Sequence, residues 1–304
     1  MLALRTVRSK SVQAAIHDRR AVVAVETVAL RAGIESSRQL EFAEDLREAT
    51  ADRDAVLAWL ALIDGEIRIG LEKDDLAEFL SRPDVVKISS KDLAWCIERR
   101  MSGALTVAAS LCVAKIAGFS TVATGAIGGV HRGNNFDVSA DLFELARSAV
   151  HLVCAGIKPF LDVAATCERL EALGVPVFGV GCDDIPMLYS RESGQRVDAR
   201  FDALEKVKDA MILHHALTGQ AALVATPIPL EFAIDNLEVE AWIQVALDKA
   251  RQQCVSRADA TPFLVQELDR LSDGRTVAAN EAAFREAIYT AAALALAVKA
   301  KEAC

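Results

Sequence analysis

Lys158 stands in the middle of VCAGIKPFL (153–161), with Val153, Cys154, Ala155, Gly156 and Ile157 before it and Pro159, Phe160 and Leu161 after it. An ammonium in such company loses hydration, which favours the neutral amine, and a neutral amine is a nucleophile. The alternative is that the stem packs and the ammonium snorkels out of a strand end. Glu26 poses a related choice, because it interrupts the apolar run VVAVETVAL. A carboxylate there must be paired, solvated or protonated, so catalysis and ordinary ion pairing are both open. Lys87, in DVVKISS, repeats the problem with the opposite sign. Two lysines and one glutamate with a buried look, all near strand ends, are harder to dismiss together than singly.

The densest signal is ATGAIGGVHRGNNFDVSADL (123–142). Gly125, Gly128 and Gly129 let the backbone approach a ligand closely, and successive backbone N–H groups can cradle an anion. Thr124, His131 and Arg132 add donors. The loop lacks the lysine of a Walker loop and the spacing of a dinucleotide fingerprint, so a phosphate site and a plain strand–helix connection both fit. Asp137 and Asp141 lie four apart and share a face if the stretch is helical, where they could hold a hard cation. Asp137 or Ser139 could equally cap the helix ADLFELARS. His214 and His215 have no partner at metal-ligand spacing and read as structural, and no hydrolase nucleophile elbow surrounds any serine or cysteine.

These residues need a scaffold, and its class follows from the bulk properties. The chain has 304 residues, 52% hydrophobic and only 5% aromatic, so a core of Ala, Val, Leu and Ile is expected. The net charge of −9 comes without a basic stripe, which argues against nucleic acid. Seven scattered cysteines without C-x-x-C spacing speak for a reducing, cytoplasmic setting. The uncharged runs within 101–130 are broken by Lys115 and contain glycines, so they read as buried elements and not as a membrane span.

Short apolar runs at 21–30, 84–89, 120–125, 151–156, 175–181 and 220–226 predict strands, and 58–70 predicts a hairpin turning at Asp64-Gly65. Helical spacing predicts helices over 38–52, 73–82, 105–118, 140–148, 161–174, 202–219, 231–255, 260–272 and 280–301. This alternation implies a single α/β domain over 1–304: a mostly parallel sheet flanked by helices on both faces. Binding residues should cluster at strand ends and in the loops after them.

Seven strings assemble in order over about residues 15–295: VVAVET, VVKISSKDL, TGAIGGVHRG with FDVSADL, VCAGIK, GVGCDDIPMLYSRESG, TPIPLEFAI, and VAAN with Asn280. In order and spacing they resemble the pseudouridine-5′-phosphate glycosidase family. The resemblance implies an α/β domain assembled as a homotrimer that acts on ribose 5-phosphate and a base or other carbon nucleophile. It implies that Lys158 forms an imine with the ring-opened sugar, that Glu26 handles protons, and that Lys87 assists at the sugar phosphate and in acid–base steps. Thr124 and His131 would line the sugar-phosphate pocket, Asn280 would face the base, and Asp141 would hold a manganese ion together with waters. The chemistry explains the amine. A C–C glycosidic bond has no leaving oxygen or nitrogen to protonate, and an iminium at the former anomeric carbon accepts the electrons of the breaking bond.

The match departs in places. Ala32, Ile34 and Glu35 replace the family's histidine, methionine and first proline, the loop after HRG is two residues short, Ala126 replaces a glycine, and FREAIY (284–289) stands where the family has paired asparagines. Glu26, Lys87, Asp141, Lys158 and Asn280 remain. This pattern favours the family chemistry on another acceptor, an aromatic natural product of the kind C-ribosylated in alnumycin biosynthesis. Ordinary divergence of a pseudouridine-5′-phosphate glycosidase is the alternative. A noncatalytic ribose-phosphate binder ranks last, because the imine lysine and the glutamate are both present.

Overall fold

The computed structural model describes residues 4–255 and 257–295, with side chains at all of these but 135 and 257–262. The edge strand β1 (Thr6–Arg8) precedes α1 (Lys10–His17), whose first turn Ser9 caps by accepting from the Val12 N–H. In β2 (Ala21–Glu26) residues 22–25 are at most 1% exposed. A strand that is apolar without alternation needs cover on both faces. Val22 and Ala24 pack into one core and Val23 and Val25 into another. The strand expected over 21–30 ends at Glu26, because α2 (Thr27–Gly33) begins at the next residue. The Thr27 hydroxyl donates to the Leu60 carbonyl and accepts from the Leu105 N–H. Contacts with distant segments therefore fix this turn, and the local pattern does not show it.

α3 (Gln39–Ala51) leads into β3 (Ala55–Ile63) and β4 (Glu66–Ile69), with Asp64 and Gly65 both at positive φ in the expected hairpin turn. α4 (Lys73–Ser81), β5 (Val86–Ile88), α5 (Leu93–Glu98), β6 (Gly103–Leu105) and α6 (Val107–Ala117) follow. α6 ends at Gly118, whose φ of 79° makes the left-handed cap. β7 (Thr121–Ala123) runs into the glycine-rich segment, which folds into the hairpin β8 (Val130–His131) and β9 (Asn134–Val138). Asp137 thus lies on a strand and Asp141 on α7 (Ala140–Ser148), so the expected shared helix face does not form; Ser139 is the cap.

Next come β10 (His151–Cys154), β11 (Leu161–Asp162), α8 (Val163–Ala172), β12 (Val177–Val180), β13 (Ala199–Phe201), α9 (Leu204–Thr218) and β14 (Leu223–Ala225). α10 (Asn236–Gln252), α11 (Arg257–Leu271) and α12 (Arg275–Leu294) close the fold. The last helix, expected over 280–301, starts earlier, at Arg275, and ends at Leu294, where Ala295 turns extended; residues 296–301 lie outside the described residues.

The main sheet has the order β1-β4-β3-β2-β7-β10-β14-β12-β13, with β6 beside β3 and β5 beside β6. Every pair from β3 through β13 is parallel, while β4 and β6 run antiparallel to β3, so the sheet is mixed but mostly parallel. A small sheet, β11-β8-β9, stands beside it. The chain leaves β2 on one side to form β3 and later lays β7 on the other. This reversal opens a crevice beyond the strands' carboxyl ends, where open α/β sheets bind ligands. Among the described residues no helix is long and apolar enough to cross a membrane.

Candidate active site

Glu26 ends β2, Thr124 follows β7, and Lys158 comes four residues after β10, so three adjacent parallel strands deliver them to one end of the sheet. They line a cleft with about 770 Å³ of empty space, its open mouth included. α2 contributes Ala32 and Gly33 to its wall, and α12 contributes Asn280 and Phe284.

Two devices set the position of Lys158. Gly156 has φ 84°, and a Cβ on it would lie 1.8 Å from the Pro186 carbonyl oxygen, so only glycine fits the turn into the lysine. The Lys158 N–H donates to the Ile127 carbonyl at 3.1 Å and the Ile127 N–H to the Gly156 carbonyl at 3.0 Å, joining the lysine segment to the glycine-rich loop. Arg132 pins the same segment by donating to the Pro159 and Leu161 carbonyls at 2.9 and 3.1 Å. Its guanidinium also grips Glu240 bidentately, at 2.6 and 2.8 Å. Arg132 was expected to offer donors to a ligand, but it uses them on the protein. Lys158 itself is half-buried and lines the cleft, so the enclosure expected from its neighbours is partial.

Glu26 is 4% exposed and accepts a short hydrogen bond from the Thr124 hydroxyl. Burial pushes its carboxyl up to about 7, against the opposing pull of the Lys158 charge and the Thr124 hydrogen bond. Such a group is present as both acid and base near neutrality, the condition for proton transfer in either direction.

Lys87 corrects its reading from sequence. It lies on β5, where Val86 and Lys87 are exposed, and it is not part of the cleft lining. Its amine still feels the site: desolvation first and the Lys158 charge second lower it from the usual lysine range, while Asp141 and Glu26 act the other way. Because the residue is exposed overall, solvent screens much of this. His131 is half-buried on β8, also away from the cleft lining.

Asn280 is in the cleft. Its amide donates to the Gly33 carbonyl at 2.8 Å, and its Oδ1 faces the Gly125 side as a hydrogen-bond acceptor. Asp141 is 6% exposed, with Oδ1 accepting from the Ala108 N–H at 3.0 Å and Oδ2 from the Gly128 N–H at 2.9 Å. It thereby ties the first turn of α6 to the glycine-rich loop. A carboxylate has about four lone-pair sites, so each oxygen retains one. Among the described residues no three His, Cys, Asp or Glu side chains gather as a metal cluster. Asp141 fits a hard cation that takes one carboxylate and completes its shell with water, and it fits no ion that needs several protein ligands.

The residues at the strand ends, the loop they share and the order of the segments have counterparts in known proteins. A family model described as indigoidine synthase A like protein matches residues 11–297. The chain belongs to that family. It is 39% identical over 262 residues to pseudouridine-5′-phosphate glycosidase 2 of Rhizobium johnstonii, covering 85% of each chain. It is 37% identical over 288 residues to the pseudouridine-5′-phosphate glycosidase of Serratia proteamaculans, covering 94% of each. A solved structure of the prealnumycin C-glycosynthase AlnA in complex with ribulose 5-phosphate matches with a TM-score of 0.88 at 29% identity, covering 96% of both chains. The resemblance seen in the sequence is therefore borne out, and the chain is an enzyme.

Membership of the family does not show every residue of the cleft. Tyr189 and Asp269 line it too, and no sequence signal singled them out. Tyr189 falls in the segment 179–194, which counted only for its order along the chain. Asp269 looks like any acidic residue of an amphipathic helix, and only the packing of α11 brings it here.

Proposed function

We propose that this enzyme makes or breaks a C–C glycosidic bond between ribose 5-phosphate and a carbon nucleophile, through an imine on Lys158. The observation that carries this reading is one apolar cleft holding the Lys158 amine and a Glu26 carboxyl near neutrality. In the forming direction the amine adds to the C1 aldehyde of the opened sugar and water leaves, giving an iminium. The acceptor carbon supplies the pair for the new bond as the C=N pair moves onto nitrogen, and Glu26 takes the acceptor's proton. The sugar's C4 hydroxyl then closes onto C1 as the C1–N bond breaks, and its proton passes to the departing Lys158 nitrogen. Cleavage runs these steps in reverse. The ketose phosphate bound by the similar C-glycosynthase, an open-chain sugar, supports a site that takes an acyclic pentose phosphate. Incubation with ribose 5-phosphate and borohydride should leave a reduced adduct on Lys158, located by mass spectrometry. Absence of labelling at saturating sugar refutes the imine.

The reading extends to an aromatic acceptor in place of uracil. Ala32 presents a methyl group to the cleft where the resembling family has a histidine, and Phe284 adds an apolar wall backed by Trp59 and Phe42. Uracil is therefore expected to be a poor partner: turnover of pseudouridine 5′-phosphate should be at least about tenfold below that of a phenolic acceptor, the scale of one lost contact. Brisk release of uracil supports the second reading, a pseudouridine-5′-phosphate glycosidase, which the relatives at 37–39% identity favour.

A divalent ion, Mn²⁺ by the family resemblance, belongs to the proposal through Asp141 alone. When bound it would supply a positive charge and ordered water. Mn²⁺ binding followed by electron paramagnetic resonance should show about one site, as expected of a single carboxylate with waters. Asp141→Asn should abolish that site. Retention of full binding by the variant removes Asp141 from the assignment.

A further inference from the structure

The cleft carries a second carboxylate that the imine chemistry does not use. Asp269, near the end of α11, lines the same space as Lys158 and Glu26. It is half-buried, and among the described residues no cation or hydrogen-bond donor reaches its carboxylate. Its neighbours in the wall are otherwise engaged. The Thr276 hydroxyl lies 3.0 Å from that of Ser272, and the Asn280 amide is held by Gly33. Tyr189 is 2% exposed, its phenol kept protonated by burial first and by the negative charge of Asp269 second. Around them the wall is apolar, with Val28, Leu188, Val265 and Val277. An unpartnered carboxylate in such a wall attracts a donor and repels an anion. Within the cleft the Lys158 amine attracts the doubly charged phosphate, and the Asp269 carboxylate disfavours it.

We infer that Asp269 determines acceptor specificity by accepting a hydrogen bond from an N–H or O–H group on the carbon nucleophile. The inference rests on the proposed imine chemistry and adds the class of acceptor: a neutral ring carrying a phenolic O–H, or on the second reading the imide N–H of uracil, and not an anion. The same repulsion orients the sugar, because the phosphate must lie away from α11.

The test uses 1,3-dihydroxynaphthalene and its dimethyl ether as probes, with affinities measured by calorimetry in the presence of ribose 5-phosphate. The intact enzyme should bind the phenol about tenfold more tightly than the ether, as expected for a hydrogen bond to a charged group. Asp269→Ala should lose that difference by weakening the phenol and not the ether. Asp269→Asn, which keeps an acceptor oxygen without the charge, should fall between, with circular dichroism confirming that both variants fold. An intact enzyme that binds neither probe, or binds both alike, overturns the inference, and so does a preference unchanged in Asp269→Ala. Borohydride trapping of ribose 5-phosphate on the intact enzyme needs no acceptor and separates the two ideas: if trapping fails, the imine reading falls, whatever the probes do.

Discussion

Replacing Lys158 by alanine should lower turnover by about 10⁴-fold or more, the scale seen when a nucleophile that works as part of a unit is removed. The loss should be that large because among the described residues no other lysine lines the cleft. Lys87 is the other amine in electrostatic reach, but it sits on the exposed edge strand β5, away from the cleft lining. Lys158→Arg separates the two roles of the side chain. It keeps the positive charge that opposes the upward shift of the Glu26 carboxyl, yet a guanidinium stays protonated and cannot form an imine under these conditions. Arginine should therefore be as inactive as alanine in both turnover and borohydride trapping. If Lys158→Arg retains turnover within about tenfold of the intact enzyme, charge and not nucleophilicity is what the position supplies.

Glu26→Gln should lower the rate by about 10²- to 10⁴-fold, the usual worth of a positioned acid–base group. The pH profile gives the sharper signature. The Glu26 carboxyl is raised to about 7, chiefly by burial, so the carboxylate fraction falls as the pH drops through that value. In the bond-forming direction, where the carboxylate takes the acceptor's proton, kcat/KM should decline on the acid side with an inflexion near 7. Glutamine retains an oxygen to accept from Thr124 and matches the shape, so the fold should persist while this limb disappears. A residual activity in Glu26→Gln with the same acid limb would assign the ionisation to another group.

How far the amino-acid sequence revealed this arrangement depends on where the controlling contacts lie. Gly118, Asp64-Gly65 and the buried run 22–25 carry their structural reasons within a few residues, so the α6 cap, the hairpin and the central strand could be read locally. The boundary at Glu26 could not, because Thr27 is held by Leu60 and Leu105, far along the chain. The β8–β9 hairpin was hidden inside a segment rich in glycine and asparagine, which reads equally well as a loop. Among the site residues, Glu26, Thr124, Lys158 and Asn280 meet in the cleft, while Lys87, His131 and Asp141 stand outside its lining. Lys87 misled because Val85, Val86 and Ile88 give the look of a buried strand, whereas an edge strand leaves much of that surface in water. Nothing in the sequence marked Tyr189 or Asp269 as a cleft residue, since that placement comes only from the packing of distant segments.

The division of labour within the cleft has an evolutionary corollary. In the proposed mechanism residues from β2, β7 and the segment after β10 supply the reacting groups, whereas the stretch 265–284 alone contributes Val265, Asp269, Thr276, Val277, Asn280 and Phe284 to the lining. On the proposed chemistry most of the wall that would meet the acceptor is therefore encoded apart from the reacting groups, with α2 and its Ala32 the exception. On this reading, a recombinant that exchanges only the helical segment 265–284 between relatives should alter acceptor scope while leaving Glu26, Thr124 and Lys158 in place.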